Sequence, residues 1–214
     1  MNKKFGWMFC LLALALCASS LPAMAGTAYT NIQDNSYQCC SGWTIGGSGS
    51  PVGLVEDAQL FTSLVSGNAN QITVALGFAA GDNGATISLW TDAGGAPGSN
   101  LSGFITAPPA PVFGTCCQFT TVTFAGVPIT AGQQYFVVIE ADNTTWDAWN
   151  WNDTGAVGQL DQNSGSGWNQ FAGETLGGME VDTGGATTPE PGSLLLLGTG
   201  LVGAFGVIRR KLNR

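Results

Sequence analysis

The chain has 214 residues, with 6 basic, 14 acidic and no histidine. All six cations (Lys3, Lys4, Arg209, Arg210, Lys211 and Arg214) lie near the ends, so the stretch from Gly26 to Thr188 holds thirteen carboxylates and no cationic side chain. Such a body cannot neutralise phosphates, which argues against nucleic-acid binding, and it has no Ser-His-Asp or Cys-His arrangement and no His-ligated zinc.

At the N-terminus, Lys3 and Lys4 precede an apolar run, Phe5 to Leu16, and then Ala23-Met24-Ala25. This is the pattern of a secretory signal cut between Ala25 and Gly26. Leu16 before Cys17 does not fit a lipid-attachment site. The mature chain then keeps Cys39, Cys40, Cys116 and Cys117, an even set in an oxidising compartment. Adjacent cysteines bridge only through a strained ring, so bonds between the two vicinal pairs are expected. A four-thiolate metal site is the rival, disfavoured because neither pair has CxxC spacing.

Strand patterns follow. Ile72 to Phe78 and Thr86 to Trp90 alternate with period two, and Gly81-Asp82-Asn83-Gly84 between them reads as a hairpin turn. A second turn cluster, Asp92 to Gly98, precedes a short strand over 101–106. Three prolines, Pro108, Pro109 and Pro111, make an extended connection. Phe119 to Phe124 is Thr-rich and β-prone. Tyr135 to Glu140 is nearly all apolar and reads as a strand buried on both faces. Trp146 to Asn152, Trp168 to Phe171 and Gly178 to Asp182 complete the set. No helical period occurs in the body. Eight to ten short strands with Gly and Pro turns predict an all-β fold, an antiparallel β-sandwich of jelly-roll type over 26–182. A small-residue linker, 183–188, follows.

The tail reads Pro189-Glu190-Pro191, an apolar run from Ser193 to Ile208, and a basic end, Arg209 to Arg214. The run would form a membrane helix of about 24 Å, short against a hydrocarbon core of about 30 Å. The basic end would stay in the cytoplasm, leaving the body outside. Motif, apolar run and basic end in this order resemble the PEP-CTERM sorting signal. The resemblance implies a Gram-negative host that makes exopolysaccharide. It also implies recognition by an exosortase-type membrane protease, anchoring in the inner membrane during transit, and delivery to the cell surface or extracellular matrix. More loosely, Ile87 to Asp92, Gly94 to Gly98, Ile129 to Val138 and Trp149-Asn150-Trp151 resemble the choice-of-anchor group of exported β-domains, from which no catalytic residues carry over.

Three chemistries remain open. Trp146, Trp149, Trp151 and Trp168 could stack on sugar rings, with Asn150, Asn152 and Asp153 as hydrogen-bonding partners, or they could be core. Asp142, Asp147 and Asp153 offer oxygen ligands for a structural calcium, without EF-hand or RTX spacing; no other cofactor is expected. Paired carboxylates could hydrolyse glycosides, but nothing selects a pair among thirteen. The expectation is therefore a non-catalytic structural or adhesive envelope protein. A carbohydrate-binding module for exopolysaccharide is the alternative, and a glycosidase-like enzyme the third reading.

Overall fold

The structure is a computed structural model and describes residues 26–184. The signal segment 1–25, residues 185–188 of the linker and the tail 189–214 with its predicted membrane helix lie outside the described residues. In chain order the strands are β1 (Gly26–Thr30), β2 (Gln38–Gly46), β3 (Glu56–Thr62), β4 (Gly67–Val74), β5 (Leu76–Ala80), β6 (Ala85–Asp92), β7 (Pro97–Asn100), β8 (Ile105–Thr106), β9 (Thr120–Ile129), β10 (Gln134–Ala141), β11 (Trp146–Trp151), β12 (Val157–Asn163), β13 (Trp168–Thr175) and β14 (Met179–Gly184). No helix occurs among the described residues.

The strands pair antiparallel in three sheets. A seven-stranded sheet runs β13-β12-β3-β10-β6-β7 with β8 also on β6, a four-stranded sheet runs β1-β14-β4-β9, and a three-stranded sheet runs β2-β11-β5. The main core draws on all three: Ile87, Leu89, Val137 and Ile139 from the first, Ile72, Val74 and Val181 from the second, and Ile45, Leu76 and Trp149 from the third. This is the arrangement of an antiparallel β-sandwich, with the large sheet packed against the other two.

The two smaller sheets are stitched together at one residue. The Ala75 N–H donates to the Gly178 carbonyl at 2.9 Å, while the Ala75 carbonyl accepts from the Asn150 N–H at 2.8 Å. The Gly178 N–H in turn donates to the Asn150 carbonyl at 2.8 Å. A Cβ on Gly178 would lie 3.0 Å from that of Ala75, so glycine there spares the junction a tight contact. The apolar run Ile72 to Phe78 is therefore two strands, with Ala75 passing the chain from one sheet to the next.

The Asp82-Asn83-Gly84 turn does not make a hairpin. β5 pairs with β11, and β6 pairs with β10. Asn83 takes the left-handed backbone conformation that Asn-Gly turns favour (φ 55°). Its side chain bonds the backbone of Ala110 in both directions, at 2.9 and 2.8 Å, and so clamps the Pro-rich connection. The expected strand over 101–106 is likewise reduced to β8, with β7 before it.

β10 sits at the centre of the large sheet, between β3 and β6. Tyr135, Val137 and Ile139 enter the main core, while Phe136 and Val138 join Ala58 in a second cluster on the opposite face. Burial on both faces is what its unbroken apolar run predicts.

Two carboxyl groups point into the sandwich. Asp57 lies opposite Ile139 and Asp147 opposite Ile45, and both are almost wholly shielded from solvent. Asp57 accepts from Gln162 Nε2 at 2.9 Å through one oxygen; its other oxygen, and both of Asp147, have no partner. Burial pushes Asp57 up to about 8 against the opposing Gln162 bond. Burial, with the Asp142 charge adding to it, pushes Asp147 up to about 7.

Both values are raised, so the folded state keeps protons that the unfolded chain releases near the ordinary value of 3.8. The resulting stability is full below about pH 4, falls as pH rises, and levels off above about pH 8. Thermal denaturation between pH 4.5 and 8.5 should show a falling melting temperature, and Asp57→Asn should flatten part of that slope. Separately, Trp149→Ala, which empties the core between the sheets, should cost about 3–5 kcal/mol by urea titration. Trp146→Ala, at a half-buried position, should cost clearly less.

Candidate functional site

The four tryptophans singled out by sequence do not form one platform. Trp149 is fully buried, and its Nε1 donates to the Gly178 carbonyl at 3.0 Å. Trp146 and Trp151 are half-buried on the same strand, and the register shift beside Asn150 and Trp151 falls on the partner strand β2, between Gly42 and Gln38. Trp151 packs beside Trp43, ring centroids 6.3 Å apart. Trp168 belongs to β13, at the far edge of the large sheet. The amides beside them are structural as well. Asn152 is buried, donates to the carbonyls of Leu176 (2.6 Å) and Ala156 (2.9 Å), and accepts from the Ala156 N–H (2.8 Å) and the Thr154 hydroxyl (2.7 Å). Asn150 is buried at the sheet junction.

Asp142, Asp147 and Asp153 do not converge either. Asp142 precedes β11 and Asp153 follows it, both exposed, whereas Asp147 faces inward. Six residues of extended chain place the two ends about 20 Å apart. The Asp142 charge does act on Asp147, but Asp153 stands outside any shared site.

A different surface brings aromatic and polar groups together. In β6, Ile87 and Leu89 enter the core, so Ser88 and Trp90 face the other way. Trp90 and Trp168 both pack on Ala58, Phe136 and Val138 on the outer face of the large sheet. The Trp90 Nε1 donates to Ser88 Oγ at 2.7 Å, and Phe104, 56% exposed, meets its ring edge-on with centroids 6.2 Å apart. β13 and β6 are four strand spacings apart, about 19 Å across the face.

The turn after β6 folds over part of this surface. Gln159 Nε2 donates both to the Gly95 carbonyl (2.7 Å) and to Asp161 Oδ1 (2.8 Å). Asp161 is buried, its Oδ2 has no partner, and burial raises its pKa, with the Gln159 bond opposing and the Asp92 charge adding. Glu140 on the same face is raised by burial and then by the Glu56 charge, with the Thr86 hydroxyl opposing. Trp90 was legible from the period-two pattern of 86–90. Asp161 and Glu56 were not, because the polar strands that carry them give no apolar alternation.

The cysteines do assemble. Cys39 and Cys116 form a disulfide, with Cα atoms 5.4 Å apart, while Cys40 and Cys117 are unbonded. One of the two expected cross-links is therefore made. The Sγ atoms of Cys39, Cys116 and Cys117 lie within 4.8 Å of one another, the one such grouping of metal-ligating side chains among the described residues. Tyr37 holds the segment in place. Its hydroxyl can donate its one proton to the carbonyl of Thr115 (3.1 Å) or Gln118 (3.2 Å), and it accepts from the Gln118 N–H (3.3 Å).

The family model described as the PEP-CTERM protein-sorting motif matches residues 187–211. No curated protein matches the chain. The tail resemblance is thus a sorting motif present in this sequence, and it implies export with membrane transit and processing by an exosortase-type system.

Proposed function

We propose that this is an exported, non-catalytic protein of the cell envelope or extracellular matrix in a Gram-negative bacterium, where its β-sandwich serves a structural or adhesive role. The observation that carries the reading is the sorting motif at 187–211 following a sandwich domain. The body supports it: without His, Lys or Arg it offers no cationic group to bind or polarise an anionic substrate. The exosortase-type protease is the partner in transit, reading Pro189-Glu190-Pro191 while the tail sits in the inner membrane. Replacing these three residues by alanine in an exosortase-bearing host should leave the chain in the membrane fraction, heavier by its uncut tail. Unchanged release at unchanged mass would sink the sorting step.

A second reading, binding of exopolysaccharide, is favoured by the outer face of the large sheet. Half-exposed indoles of Trp90 and Trp168 stand there beside amides and carboxyls able to bond sugar hydroxyls. The body's charged side chains, all acidic, would repel uronate-rich polymers, so the ligand is a neutral glycan. In a pull-down across neutral and acidic polysaccharides, the purified protein should be retained by neutral chains. The Trp90→Ala/Trp168→Ala pair should lower that retention at least tenfold. Retention untouched by the double substitution, or none on any glycan, removes this reading.

A further inference from the structure

The three-sulfur cluster supports a reactivity that export and adhesion do not require. Cys39 and Cys40 lie where the register of β2 against β11 shifts, between Gln38 and Gly42, and Cys40 is exposed and outside the cluster. Cys116 and Cys117 both reach Cys39. One cysteine of the first pair thus faces both cysteines of the second. Cys40 is unbonded and stands outside this cluster.

One further atom marks the cluster. The carbonyl oxygen of Tyr37 lies 3.6 Å from Cys39 Sγ, 3.7 Å from Cys116 Sγ and 3.9 Å from Cys117 Sγ. It can accept the S–H of whichever cysteine of the second pair is not bonded to Cys39. Loop entropy does not choose between the pairings. The bond to Cys116 spans 77 residues, and a bond to Cys117 would span one more.

We propose that Cys39, Cys116 and Cys117 form a thiol–disulfide exchange site, in which Cys117 is the internal nucleophile and the bond moves between Cys39–Cys116 and Cys39–Cys117. The Cys117 thiolate attacks Cys39 Sγ. A Cys39–Cys117 bond forms, the Cys39–Cys116 bond breaks, and its electron pair leaves on Cys116 Sγ, which takes up the proton that Cys117 released. No oxidant or reductant is consumed. The step has a surface consequence: it transfers the free thiol from half-buried Cys117 to exposed Cys116. Exchange therefore sets how readily an outside disulfide, from a small molecule or another protein, can be attacked by this chain.

The test is made on the secreted protein, quenched in acid, alkylated and cut at Asp and Glu, since trypsin has no site between Gly26 and Thr188. Wild-type peptides covering the four cysteines should carry two alkyl groups, and fragmentation of the bridged pair should reveal both Cys39–Cys116 and Cys39–Cys117 bonds. Cys116→Ser should keep one bridge, now to Cys117, and carry a single label. Cys117→Ser should keep the bridge to Cys116, again with one label. Cys39→Ser should carry three. Two complete disulfides in the wild type, a single fixed pairing, or loss of the bridge in Cys116→Ser would each overturn the proposal.

Discussion

No cationic side chain exists between Gly26 and Thr188, and this governs how the sandwich treats its carboxyl groups. A buried carboxylate in most proteins is met by Arg, Lys or a metal. Here it is met by a proton or by an amide or hydroxyl donor. The hydrogen bonds follow that rule throughout. Gln162 serves Asp57, Gln159 serves Asp161, Asn163 serves Glu56, and Gln71 and Thr27 serve Asp182. Several of these pairs join neighbouring strands, so side-chain amides do the cross-strand work that ion pairs do elsewhere. Where donors run out, at Asp147 and the second oxygens of Asp57 and Asp161, burial raises the pKa.

The same constraint shapes the two faces of the large sheet. Its inner face is apolar toward β6 and β10 but polar toward β3 and β12, where Asp57, Gln59 and Gln162 stand. Its outer face is likewise polar toward β12. Phe136 and Val138 lie at the centre under Trp90 and Trp168, and carboxyls and amides lie toward β12. Burial on both faces makes β10 the organising strand, and the turn at Gly95 is tied to β12 through a single glutamine side chain.

These mixed strands explain what could be read from the sequence. Strands whose two faces differ sharply, such as 86–90, or that are apolar throughout, such as 135–140, announce themselves. β3 reads Glu-Asp-Ala-Gln-Leu-Phe-Thr and sends Asp57 and Gln59 inward, so it has no apolar period to detect. β12 fails for the same reason. β2, rich in Cys, Gly and Ser, carries little β signal of its own. The Asn-Gly turn was misleading as a hairpin because local turn chemistry fixes a backbone bend but not the partners of the strands it joins. The tryptophans misled through their number: four indoles suggested a surface, yet Trp149 is core and Trp168 belongs to another sheet. The disulfide segments were legible from the vicinal pairs. The choice of Cys39 over Cys40 was not, since it depends on which face of β2 meets Tyr37 and the 115–118 segment.

The terminal segments hold all the positive charge, and the described domain holds none. Once both ends are removed, as the proposed routing entails, the only charged side chains on every copy are carboxylates. Copies then repel one another over roughly a Debye length, about 10 Å at 0.1 M salt. Direct contact between folded bodies is a poor basis for a matrix under those conditions. Cohesion would have to come from something that does not sense the charge: a neutral polymer lying across the Trp90–Trp168 face, or a covalent sulfur bond. The two features that the acidic surface leaves unimpeded, uncharged aromatic contact and thiol exchange, are the ones this fold places within reach of solvent.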